Sequence, residues 1–109
     1  GKVNSYLSFV RHILFSRKSF ENAIEEVEGS VDANIACGID ISLGYSGLLD
    51  HVLFVYGYDE ENLYVLDSHQ VLGLEYQKVN ESLFFFRLPK HVIRKRWTIF
   101  GRVWKLIRN

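Results

Sequence analysis

The hydrophobic period of this chain changes at Gly29, and that change limits the folds open to it. Apolar residues recur at helical spacing over residues 20–27, and Ser19 stands where an N-cap belongs. Over residues 35–43 every odd position is apolar and every even one is small or polar, which is typical of a half-buried strand. We therefore expect a helix that ends with Gly29 at its C-cap, followed by a strand.

Patterns in the rest of the chain complete an α+β prediction. An apolar stripe at helical spacing predicts a first helix over residues 3–15. Strands are predicted over 51–58, 63–67, 74–79, 83–88 and 101–107, with a short helix over 91–97 that Pro89 can open. The first two of these strands form a hairpin, because residues 59–62 are turn material. N-terminal helices followed by an antiparallel sheet predict one α+β domain over residues 1–109.

Composition excludes several other classes of protein. The single cysteine, Cys37, excludes an intramolecular disulfide framework and a multi-thiolate zinc site. The apolar runs are too short to span a bilayer, and none has the length of a signal peptide. The chain has no methionine and starts at Gly1, so we expect it to be part of a longer protein. Its oligomeric state stays open, and cytoplasm and a bacterial cell surface fit the absence of disulfides equally well.

Charge is distributed unevenly along the chain. Between Ser19 and Gln77 there are twelve acidic residues and no Lys or Arg, whereas residues 78–109 carry nine Lys and Arg and one acid. The two regions should either attract each other or present faces of opposite sign. Basic residues beside Trp97 and Trp104 are the pattern of a small nucleic-acid-binding domain. We do not favour that alternative, since the acidic region is available as an internal partner.

One histidine and one acid stand at the ends of the predicted hairpin. His51 opens its first strand, and Asp67 closes its second strand sixteen positions further on. A general base needs its imidazole at a strand end and a carboxylate on its other nitrogen, so we expect His51 as base and Asp67 as its orienter. The plain alternative is an ion pair at the surface or a satisfied hydrogen bond. A His51, Asp67 and His69 metal set is less favoured, because its remaining ligands are unclear.

The register of the hairpin decides whether His51 and Asp67 share a face. A four-residue loop pairs Tyr58 with Leu63 and puts the two side chains on opposite faces of the sheet. An odd loop, or a bulge that compensates for an even one, brings them onto the same face. Gly57 is the natural place for such a bulge. The catalytic interpretation therefore predicts one of these two irregularities.

The strand that begins with His51 and the acid that follows it resemble the C-terminal half of papain-like cysteine peptidases. The bacterial branch that it resembles comprises the double-glycine leader peptidases of bacteriocin exporters. That branch has a strand reading approximately His-x-x-Val-Val-x-Gly-Tyr-Asp, followed by a strand that ends in an acid. The matching residues here are His51, Val55, Gly57, Tyr58 and Asp59, then Asp67 and Ser68. The resemblance covers residues 20–97, including the predicted helix and strand upstream of the histidine.

The resemblance implies a papain-like fold in which His51 is the general base, Asp67 orients it, and the substrate is a peptide or protein. The nucleophile of that family is a cysteine at the start of a helix, preceded by a glutamine that helps to form the oxyanion hole. This chain has no glutamine before Gln70, and Cys37 lies in mid-strand with its side chain expected in the core. Ser5 is a weaker substitute, since it is too near His51 in sequence for that family.

Two interpretations of the missing nucleophile stay open at this point. In the leading one, the catalytic cysteine lies upstream of Gly1 and the domain is a cysteine peptidase that hydrolyses a peptide amide bond. In the other, the domain is a catalytically inactive module of the same fold that binds a peptide. The family also contains acyl-transfer members. Neither interpretation calls for a cofactor or a metal.

Overall fold

The computed structural model describes residues 18–42, 50–67, 74, 76–81, 84–97 and 101–106. Its elements are α1 (Phe20–Asp32), β1 (Cys37–Ser42), β2 (Asp50–Tyr58), β3 (Asn62–Leu66), β4 (Gln77–Lys78), β5 (Phe85–Pro89), α2 (Lys90–Lys95) and β6 (Val103–Lys105). The six described strands form one sheet of order β4-β5-β3-β2-β1-β6, and each pairs antiparallel with its neighbours. The α+β class is therefore confirmed. The helix predicted over residues 3–15 lies outside the described residues.

Helix α1 begins where the sequence predicts and ends later. The Ser19 side chain accepts a hydrogen bond from the backbone N–H of Asn22 at 3.1 Å, so Ser19 is the N-cap. The prediction that Gly29 caps the C-terminus is wrong, because the helix continues through Gly29 to Asp32. The extra turn buries Ser30, whose hydroxyl donates to the carbonyl of Glu26 at 2.8 Å.

The end of α1 uses an asparagine where a glycine is more common. Asn34 has a φ of 57°, in the left-handed region that Asn tolerates better than most residues. Its N–H donates to the carbonyl of Val31 at 3.0 Å, and the N–H of Ile35 donates to the carbonyl of Ser30 at 2.8 Å. These two bonds form a Schellman motif, which turns the chain into β1.

The hydrophobic core lies between α1 and one face of the sheet. Each central strand sends alternate side chains into it, as the period of two requires. The fully or nearly fully buried members are Val27, Cys37, Ile39, Ile41, Leu53, Val55, Leu63, Val65, Leu74, Phe86, Leu88 and Ile93. A fully buried aliphatic or aromatic side chain stabilises the fold by about 1.5–3 kcal/mol, so this set accounts for the bulk of the favourable energy.

Strand β1 is buried on both faces, which corrects the prediction of a half-buried strand. All six of its residues are buried, including the polar Asp40, which is 1% exposed. The carboxylate of Asp40 accepts hydrogen bonds from Arg102 Nε at 3.1 Å and Trp104 Nε1 at 2.8 Å. The correction arises because β1 lies between β2 and β6, and side chains from the β6 side cover the face that the sequence assigned to solvent.

The C-terminal elements are shorter than predicted. Strand β4 has two residues against a predicted 74–79, and the helix after β5 ends at Lys95 against a predicted 97. Trp97 instead forms an isolated bridge with Ile41. Its indole N–H donates to the carbonyl of Lys18 at 3.0 Å, which ties the start of the described chain to the sheet. Local sequence patterns place these elements correctly and miss their ends, where tertiary contacts decide.

The acidic and basic regions attract each other within the fold. Helix α1 supplies most of the carboxylates for these pairs, and the C-terminal region supplies most of the cations. The pairs are Glu26 with Lys18 and Lys105, both at 2.9 Å, Glu28 with Lys90 at 2.6 Å, Glu21 with Arg94, and Asp40 with Arg102 at 3.1 Å. No helix in the described ranges is long and apolar enough to span a membrane.

Candidate active site

A bulge in strand β2 brings His51 and Asp67 onto one face of the sheet. Near the turn Tyr58 pairs with Leu63, which leaves an even loop of residues 59–62. Between Val55 and Gly57 the register shifts by one residue, so that Phe54 pairs with Leu66. Continued by one residue, this register places Leu53 opposite Asp67 and His51 diagonal to it. An even loop with a compensating bulge beside Gly57 is one of the two irregularities that the catalytic interpretation predicts. The prediction of a bulge near Gly57 is therefore confirmed.

The two side chains meet by a direct hydrogen bond. His51 Nε2 lies 2.8 Å from Asp67 Oδ1, and the side chains are 20% and 3% exposed. A carboxylate can only accept, so the imidazole donates its Nε2 proton and Nδ1 is left to take up another. Among the described residues no group hydrogen-bonds Nδ1. Within those ranges the histidine is thus held through Nε2 alone.

Buried surroundings fix the position of Asp67. Its backbone N–H donates to the carbonyl of Phe84 at 2.9 Å, just beyond the last residue of β3. Its second carboxylate oxygen, Oδ2, accepts the Tyr76 hydroxyl at 2.7 Å. The carboxylate therefore has a donor on each oxygen. A buried carboxylate that is satisfied in this way can hold an imidazole in one orientation, since both of its oxygens are fixed.

Tyr76 is the site residue that sequence reasoning missed. It lies within the strand predicted over residues 74–79 with no motif around it, and β4 begins only at the next residue. The hydrogen bond depends on how the chain returns from β3 to β4, which residue periodicity does not reveal. No local signal in the sequence distinguishes Tyr76 from the other tyrosines of the chain.

The only cysteine of the chain is not placed to act as the nucleophile. Cys37 is 4% exposed and lies in β1, and its Sγ is 3.9 Å from the carbonyl oxygen of Val27 and 3.7 Å from that of Val55. Burial raises the pKa of the thiol, which disfavours the reactive thiolate. The prediction of a core position for Cys37 is confirmed. Ser5, the weaker substitute, lies outside the described residues.

Metal binding gains no support from the part of the chain that the structure describes. No group of three His, Cys, Asp or Glu side chains in those ranges is arranged to hold a metal ion. His69, the third member of the metal set considered from the sequence, lies outside them. In the described residues, His51 and Asp67 form a pair in which an imidazole is hydrogen-bonded to a buried carboxylate.

Comparison with known proteins adds no relative to this picture. No family model, no curated protein and no solved structure matches the chain. The roles of His51 and Asp67 thus depend on the geometry of this molecule and on the sequence motif around it.

Proposed function

We propose that this chain carries the general base of a papain-like cysteine peptidase-type domain that hydrolyses a peptide amide bond. His51 is the base, Asp67 is its orienter, and the nucleophilic thiol is missing from this chain, whose one cysteine, Cys37, is buried. The observation that supports the proposal is the 2.8 Å contact of His51 Nε2 with a 3% exposed carboxylate on the same hairpin. A base held in this way can accept a proton at Nδ1 without losing its orientation.

The proposed chemistry passes one proton through His51 in each of its two halves. His51 Nδ1 takes the proton of the thiol, and the thiolate sulfur attacks the carbonyl carbon of the peptide. The tetrahedral intermediate then expels the amine, which takes the proton from the imidazolium, and a thioester remains. Water attacks the thioester with His51 again as base, which releases the acid and restores the thiol. Asp67 stabilises the imidazolium in both halves of the reaction and does not itself exchange a proton.

A catalytically inactive peptide-binding module of the same fold is the second candidate. The burial of Cys37 favours it, because the chain then holds a base with no nucleophile of its own. Nucleic-acid binding is the third alternative carried from the sequence. The ion pairs of Arg94, Arg102 and Lys105 with acidic side chains count against it, since each pair already neutralises a cation that would contact phosphate.

An added thiol tests the leading proposal. The chain is mixed with a set of peptide thioesters and a small thiol, and the rate of thioester exchange is measured. A general base that is positioned beside both reactants increases a reaction rate by about 10²–10⁴. A diffusing thiol is not held in place, so we expect a smaller effect: with the best substrate, the unmodified chain should exchange the thioester roughly ten-fold faster than His51→Ala. Asp67→Asn should give an intermediate rate, since the amide can still accept from Nε2–H but no longer stabilises the imidazolium.

His91→Ala is the matched control, because His91 is exposed on α2 and contacts neither His51 nor Asp67. It should leave the rate unchanged. Equal rates for the unmodified chain and His51→Ala across the whole substrate set would refute the proposed role of the base. Saturable peptide binding without any acceleration would instead select the inactive module.

A further inference from the structure

The hydroxyl of Tyr76 closes a chain of three hydrogen-bonded side chains. Tyr76 donates to Asp67 Oδ2 at 2.7 Å, and Asp67 Oδ1 accepts from His51 Nε2 at 2.8 Å. The two donors occupy different oxygens of one carboxylate, so neither displaces the other. A fixed donor on each oxygen restricts rotation of a carboxylate about its Cβ–Cγ bond, because such a rotation would break both hydrogen bonds.

The ring of Tyr76 is half-buried and packs against the core. It packs edge-on against Phe86, with ring centroids 4.9 Å apart, and Phe86 is 1% exposed in the middle of β5. The backbone N–H of Tyr76 also donates to the carbonyl of Leu74 at 3.1 Å. The hydroxyl is thus presented to Asp67 from a side chain with little freedom of its own.

We infer that Tyr76 is a positioning residue for the base: it fixes the Asp67 carboxylate in the orientation that keeps Nε2–H of His51 bound and Nδ1 free for the proton of the nucleophile. The Tyr76 hydroxyl bonds Asp67 Oδ2 and His51 bonds Oδ1, so Tyr76 acts on the base through Asp67. Its relevance to catalysis rests on the proposed function, whereas its effect on His51 can be measured whether or not the domain is an enzyme.

Tyr76→Phe removes the hydroxyl and keeps the ring contact with Phe86. The first readout is the NMR signal of the His51 Nε2–H proton, recorded with ¹⁵N-labelled histidine, and its rate of exchange with water. We expect exchange to become about five-fold faster in Tyr76→Phe, the size of effect that one hydrogen bond produces. The second readout is the thioester exchange rate with added thiol, which should fall by roughly 3- to 10-fold.

Tyr64→Phe is the matched control. It also removes a tyrosine hydroxyl that donates to an aspartate, here Asp59 Oδ2 at 2.9 Å, on the far side of the hairpin from the site. It should alter neither readout. A purely structural role for Tyr76 predicts the same null result for Tyr76→Phe, with at most a lower melting temperature in circular dichroism.

The outcomes separate this inference from the proposed function. Unchanged Nε2–H exchange in a folded Tyr76→Phe variant overturns the positioning role. Faster Nε2–H exchange with no thiol-dependent rate in the unmodified chain supports the positioning role and refutes the peptidase chemistry. The Asp67→Ala background gives a second test that does not depend on the single variant, because alanine removes both carboxylate oxygens. There, removing the Tyr76 hydroxyl should produce no further change in exchange, and an effect of the same size as in the unmodified chain would overturn the inference.

Discussion

Replacing Gly29 by alanine tests where helix α1 ends. Gly29 lies in the interior of α1, three residues before its last residue, and an added Cβ would meet no atom within 4 Å. Glycine in a helix interior is about 0.8–1.0 kcal/mol less favourable than alanine, chiefly because it loses more backbone freedom on folding. Since no contact opposes the methyl group, we expect Gly29→Ala to raise the free energy of unfolding by about 1 kcal/mol.

The assay is urea unfolding followed by far-ultraviolet circular dichroism, together with a thermal melt. For a domain of 109 residues, a gain of about 1 kcal/mol corresponds to an increase of about 4 °C in Tm, from the average unfolding entropy per residue. Gly38→Ala is the companion variant, with the same change of chemistry in β1. Its Cβ would lie 2.9 Å from the carbonyl oxygen of Leu53 and 3.1 Å from Cγ1 of Val52, so we expect a loss of roughly 1–3 kcal/mol.

A loss of stability in Gly29→Ala would refute this reasoning. The sequence alone predicts Gly29 at the C-cap, in the left-handed backbone region where a Cβ is sterically unfavourable. If that were correct, Gly29→Ala would destabilise the protein by about 1 kcal/mol. The sign of the effect thus decides between a helix that ends at Gly29 and one that continues to Asp32. A null effect for Gly38→Ala would separately contradict the close approach of β1 and β2.

Three further predictions concern the thiol, the isolated chain and an acidic turn. Cys37 should react slowly with iodoacetamide in the folded protein and rapidly in denaturant, because it is buried and its pKa is raised; fast native labelling would show that β1 is misplaced. The chain without added thiol should hydrolyse no fluorogenic peptide, and activity abolished by Cys37→Ser would overturn both this and the core position of Cys37. The pKa of Asp59 is lowered from 3.8 to about 2, mainly by the Tyr64 hydroxyl and also by the backbone N–H groups of Glu61 and Asn62. Its contribution to stability is therefore present above pH 3.8 and is lost as the pH falls toward 2. When the midpoint of urea unfolding is measured against pH, Asp59→Asn should make its decrease at acidic pH less steep. An unchanged slope would contradict the turn geometry.

The features predicted correctly from the sequence are those that depend on near neighbours. The Ser19 cap, the hairpin and the inward direction of Cys37 each follow from residue type and period over a few positions. The need for a bulge near Gly57 follows from counting residues between His51 and Asp67, once both are required on one face. Part of the candidate site was thus predictable because both its residues lie on one local hairpin.

The features that the sequence could not provide depend on which elements become neighbours. The sequence pattern predicts Asp40 as a solvent-facing residue of an alternating strand. Its burial is explained by Arg102 and Trp104, which lie more than sixty residues further along the chain, at and just before β6. Tyr76 reaches Asp67 because of the path that the chain takes between β3 and β4, and hydrophobic periodicity does not predict that path. Gly29 carries the usual signal of a helix end, but a stronger tertiary reason, the burial of Ser30 in the next turn, overrides it.

The extra residue in β2 has a consequence for how the hairpin can change in length. Tyr56 and Gly57 together stand opposite Tyr64, so the strand holds one more residue than a regular ladder requires. Deleting Tyr56 would remove this surplus and leave Val55 opposite Val65 and Phe54 opposite Leu66, as they are now. His51 and Asp67 would then stay together in a straight ladder. This hairpin can therefore lose a residue near its turn while the two side chains at its open end keep their geometry. With an even loop such as residues 59–62, an even spacing between the two residues requires a bulge and an odd spacing does not.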